Sequence, residues 1–106
     1  MSTSHTFIGA SGAEYPYEIF SVEDALDAVA GNYIVLGRWM GGDYSPIYAD
    51  ESADIKGAVN GNHESWGCFL ENRMTHVAVH IDADDNLQAR QDEVSDLIAG
   101  IRPTCN

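Results

Sequence analysis

Positive charge is scarce in this chain: five lysines and arginines stand against seventeen aspartates and glutamates, a formal net charge of −12 over 106 residues. The acidic residues run from Glu14 to Asp96 instead of gathering in a tail, so the surface repels phosphate backbones and duplex DNA is not an expected ligand. Long apolar runs are also missing. No stretch approaches the length of a membrane span, and Met1 to Thr6 is polar with no basic start leading into an apolar segment. Neither a membrane anchor nor a signal peptide is therefore visible, and the expected location is cytoplasmic. Two cysteines, Cys68 and Cys105, are too few for a disulfide framework; they read as thiols, with a single bridge between them left open. The remainder, 44% hydrophobic and 21% charged without repeats, fits one compact domain around one core.

Turn signals divide the chain. Two β-prone stretches flank Ser11-Gly12 and predict a hairpin over 6–20, with Pro16 demoting its second strand to an edge. Ser21, with Asp24 three residues on and Gly31 as the stop, predicts a helix through Ala30. Strands are expected over 32–40 and 45–49 around Gly41-Gly42-Asp43, then a weak helix capped by Ser52 and diluted by Gly57 and Gly61. Residues 75–81 alternate as a strand. The last helix is marked by an apolar stripe of Leu87, Val94, Leu97, Ile98 and Ile101, stopped by Pro103. The expected fold is α+β, a small and mostly antiparallel sheet flanked by helices.

Within that order, specific residues resemble the GIY-YIG nuclease family. "GNY" (31–33) is similar to the first signature, with Tyr33 as its tyrosine, and "IYAD" (47–50) to the second, with Tyr48 and with Asp50 in place of the final glycine. "SADIKGAV" (52–59) resembles the helix that follows, His63 falls where many members carry a histidine, and "DLI" (96–98), Pro103 and Asn106 resemble the closing motif. The resemblance covers 31–106 and implies a GIY-YIG-like core, with 1–30 as an N-terminal extension of hairpin and helix. It also implies pocket positions at Tyr33, Tyr48, His63 and Asn106. Family members hydrolyse phosphodiesters with a tyrosine acting on water, an arginine on the phosphate and a glutamate holding a divalent cation. Here the arginine position is Ala58 and the glutamate position is Val94. The expectation is accordingly a catalytically inactive binding or regulatory module that needs no cofactor, with a basic protein among its conceivable partners.

Two alternatives accompany it. A rearranged nuclease would hold magnesium or manganese through Glu93, yet adjacent helical residues point about 100° apart, which turns Glu93 away from a pocket faced by position 94. A small metal-binding domain would use His63, Cys68, His76 and His80. Their spacing matches no familiar zinc pattern, and His76 and His80, four apart on one strand, stand about 13 Å from each other. Asp82, Asp84, Asn86 and Glu93 imitate a calcium loop, but Leu87 stands where such a loop needs glycine, so this stretch reads as a turn and helix cap.

Overall fold

The computed structural model describes residues 3–38, 44–82 and 85–106. Among them, five strands form one antiparallel sheet: β1 Thr3–Ile8, β2 Glu14–Ser21, β3 Gly31–Arg38, β4 Tyr44–Ser52 and β5 Met74–Ile81, in the spatial order β1-β2-β5-β3-β4. Three helices flank it: α1 Ile55–Ala58, α2 Trp66–Glu71 and α3 Leu87–Ile101. The architecture is the α+β arrangement expected. The Gly41-Gly42-Asp43 turn lies outside the described residues.

β3 is buried from Gly31 to Gly37 because both faces of the sheet are covered around it. Its alternating side chains serve two cores. Ile34 and Leu36 pack with Phe7, Tyr17 and Leu97 on the α3 face, whereas Tyr33 and Val35 pack with Ile55 of α1 and Phe69 of α2 on the other. A bulge opposite Val35 and Leu36 leaves Ile47 of β4 without a partner, so neighbouring Ile47 and Tyr48 both reach the second core.

Several local expectations are corrected. Residues 22–30 form no helix. Asp24 turns its carboxylate back onto the Ser21 N–H at 2.8 Å, and the segment then crosses β5 to reach β3. Its carbonyls receive tertiary donors: Val29 O accepts from Ile55 N, and Ala30 O from Asp82 N, both at 2.9 Å. Those bonds outweigh a modest helix propensity. β2 is an interior strand, and Pro16 is tolerated because it precedes the stretch, Glu18–Ser21, that pairs with β5. The cap of α1 is Asp54, whose side chain accepts from Gly57 N, while Ser52 holds Asp54 in place. α2, one short helix without a side-chain cap, carried no sequence signal.

The expected bounds of α3 hold. Asn86 caps it by accepting from Ala89 N, and Arg102 leaves it in the left-handed region just before Pro103. Val94 and Leu97 are buried, but Leu87 is half exposed and the interior place one turn on is taken by Arg90. Near its end the helix touches the β1–β2 turn. A Cβ on Gly100 would lie 2.7 Å from the Ala10 nitrogen, so only glycine allows this approach. Asp96 clasps the same turn, accepting from Ser11 N, Ser11 Oγ and Tyr15 Oη at 2.8, 2.6 and 2.7 Å.

The outer edge of β4 is covered by the C-terminal tail. Thr104 and Cys105 donate backbone N–H groups to Pro46 and Ile47 carbonyls, and the Asn106 amide pairs with both backbone groups of Ala49, as a strand neighbour would. The tail is fastened by a disulfide. Cys68 of α2 and Cys105 are bonded across 37 residues, which corrects their reading as thiols. Loop-closure entropy for a bridge of this span is worth about 4 kcal/mol. Cys105→Ser should therefore lower unfolding stability by several kcal/mol at most and raise amide exchange at Ala49; equal exchange in both proteins would contradict the fastening role.

A pH effect follows from Asp96. Hydrogen bonds from Ser11 and Tyr15 hold its carboxyl below the usual aspartate range. Stability from a carboxyl lowered in this way is complete above its unfolded value and fades as pH falls through the folded one. Asp96→Ala should flatten the acid limb of the stability curve in denaturant titrations, and an unchanged limb would exclude the clasp.

Candidate functional site

Three residues singled out by sequence converge on the α1/α2 face. The Tyr33 and Tyr48 rings lie 6.2 Å apart, and His63, from the loop between α1 and α2, has its ring 5.0 Å from Tyr48. Sheet register accounts for the tyrosines, since Val35 opposes Tyr48 and places it diagonally from Tyr33 on the same face. Phe69 closes the base, 4.8 Å from the His63 ring. The fourth residue, Asn106, is engaged on the β4 edge rather than in this cluster.

Hydrogen bonds assign the roles inside the cluster. The Ser65 N–H donates to His63 Nδ1 at 3.0 Å, so that nitrogen must carry its lone pair. The neutral ring then bears its proton on Nε2 and donates it to Tyr33 Oη, 3.1 Å away. In this tautomer His63 has no lone pair facing Tyr33 and cannot take the phenol's proton. Burial and the negative charges of Asp50, Glu51 and Glu64 push the Tyr33 phenol far up. Burial and Asp50, which accepts from Tyr48 Oη at 3.1 Å, push Tyr48 up to about 12. Both phenols keep their protons at neutral pH.

The position compared with the arginine adds no cation: Ala58 packs against the cluster with only a methyl group. Lys56 is exposed. Arg90, the other basic residue near this part of the chain, lies on the α3 side, 5% exposed, with its guanidinium bonded to Glu51, Asp82 and Asp85. Val94, the glutamate position, also belongs to α3 and borders a cleft at the β4 edge with Asp50 and Glu51. The donor set does not fit the family's cation. Among the described residues no three histidine, cysteine, aspartate or glutamate side chains converge as ligands.

The alternative metal sets are separated by the sheet. Cys68 is in the disulfide and His63 belongs to the tyrosine cluster. His76 and His80 alternate with Val77 and Val79 of the second core and therefore face α3. Glu93 indeed points away from Tyr33, into a network that sequence reasoning missed. Its carboxylate accepts from Tyr17 Oη at 2.5 Å and Asn32 Nδ2 at 2.9 Å, and contacts His80 Nδ1 at 2.9 Å. Tyr17 and Asn32 are 2% and 3% exposed, and Asn32 Oδ1 has no hydrogen-bond partner among the described residues, a state that costs about 1–3 kcal/mol. The only sequence signal was a polar residue, Asn32, inside an otherwise apolar strand.

No family model, curated protein or solved structure matches the chain.

The carboxylates beside the tyrosines generate a measurable expectation. Phenolate absorbance should show Tyr48 ionising at about 12, with Asp50→Asn bringing it down, since Asp50 disfavours the phenolate by both charge and hydrogen bonding. A Tyr48 titration in the ordinary tyrosine range, unmoved by Asp50→Asn, would contradict this electrostatic picture.

Proposed function

We propose that this chain is a binding or regulatory module on a GIY-YIG-like frame, and that it does not hydrolyse phosphodiesters. The observation that carries the reading is the His63 tautomer: the ring donates to Tyr33 instead of accepting its proton. A phenol kept protonated in this way is a poor base toward water. Ala58 adds no charge to hold a phosphate, and Asp50, Glu51 and Glu64 repel one. The rearranged alternative is weakened by Glu93, whose oxygens are engaged on the opposite face.

The same carboxylates favour a basic partner. A lysine- or arginine-rich protein segment would meet Asp50 and Glu64 together with the half-buried face of Tyr48, which offers a cation–π surface. Among the described residues no helix is long and apolar enough to cross a membrane. The disulfide bears on location, because such bridges persist in oxidising compartments and are transient in reducing ones. A cytoplasmic setting would require the Cys68–Cys105 bond to open and close there.

Single-stranded and duplex substrates incubated with magnesium or manganese should remain uncut, and duplex DNA should bind no tighter than about a micromolar at physiological salt. A labelled arginine-rich peptide should bind with salt-sensitive anisotropy that Asp50→Asn weakens. Cleavage abolished by Tyr33→Phe would overturn the proposal in favour of a nuclease.

A further inference from the structure

On the face opposite the tyrosine cluster, Asn32, His80, Ile81, Asp82, Ala89, Arg90 and Glu93 line a cleft of about 360 Å³. We propose that this cleft is a binding site for a small primary ammonium compound, held through its N–H donors.

Two polar groups of the lining, on His80 and Asn32, are set as acceptors. Glu93 is held by Tyr17 from β2 and Asn32 from β3, which fixes a carboxylate that is only 13% exposed. That carboxylate faces His80 Nδ1 with both oxygens, at 3.1 and 2.9 Å, and so takes the proton of the neutral ring there. The lone pair is then on Nε2, which no hydrogen bond occupies among the described residues, and the ring is 39% exposed at the mouth. The Asn32 amide directs both of its donors' contacts to Glu93 Oε2 and Arg90 O, leaving Oδ1 a buried acceptor without a donor among the described residues. Two of the lining residues, His80 and Asn32, thus carry an acceptor that no donor among the described residues occupies, and such acceptors recognise N–H groups.

Charge selects the same ligand class. Arg90 is bonded to Glu51, Asp82 and Asp85, and Glu93 is a fourth carboxylate against that single guanidinium. The net field is negative, so an ammonium is favoured over a neutral amide and an anion is excluded. Of the groups facing the ring, Glu93 from α3 and Asp82 beyond β5 carry negative charge, Arg90 is paired, and Tyr17 from β2 donates to Glu93.

The test uses putrescine, a diammonium, against tetramethylammonium, which has the charge but no N–H donor. In ¹H–¹⁵N spectra of the full chain, putrescine should produce saturable shifts at the Asn32 side-chain amide and at the backbone of Ala89 and Arg90. Tetramethylammonium should produce none that saturate. His80→Phe, at the exposed rim, should weaken putrescine binding about tenfold while Asn32 stays buried. If His80→Phe fails to fold, His80→Ala, which removes the same acceptor, decides. Equal responses to the two cations, saturable shifts that loss of the His80 ring does not reduce, or stronger saturation of the same residues by magnesium or calcium would each overturn the proposal.

Discussion

The structure depends on β3, a strand sealed on both faces. A strand in that position has no water to satisfy its polar side chains, so they bond inside the protein, and a group left over, such as Asn32 Oδ1, is costly. Asn32 and Tyr33 are consecutive and point in opposite directions. One anchors the Glu93 network beneath α3, and the other anchors the aromatic cluster beneath α1 and α2. The two candidate sites of this small protein are thus built from adjacent residues of one strand, yet the sheet itself keeps them apart.

Charge scarcity sharpens the character of both. Of five basic residues, Arg90 is buried and engaged by three carboxylates, so it is not available to neutralise the acidic surface elsewhere. On the tyrosine face burial and nearby carboxylates keep the phenols protonated; on the α3 face carboxylates border a cleft whose lining carries two unoccupied acceptors among the described residues. Both arrangements disfavour phosphate chemistry and favour cationic ligands.

The parts legible in the sequence were those with strong local signals. Alternation marked β5, the apolar stripe and Pro103 marked α3, and three of the residues singled out by the resemblance, Tyr33, Tyr48 and His63, lie together. The GIY-YIG resemblance itself rests on those residues and stays a proposal. What was not legible depends on partners distant in the chain. The helix expected over 21–30 loses to donors from Ile55 and Asp82, and the thiol reading of Cys68 and Cys105 fails because the tail returns along β4. Asn106 likewise acquires its role only when Ala49 is beside it. The network of Tyr17, Asn32, His80 and Glu93 draws one residue from each of four elements, and no short-range pattern encodes that.

The central claim is that the tyrosine cluster is arranged to hold protons rather than to move them, and it rests on one ring. Long-range ¹H–¹⁵N spectroscopy of histidine side chains reports directly which nitrogen of His63 is protonated in the neutral state. The account predicts the proton on Nε2, with Nδ1 accepting from Ser65, and a loss of that pattern's definition in Tyr33→Phe. A proton on Nδ1, leaving Nε2 as a base toward Tyr33, would contradict it.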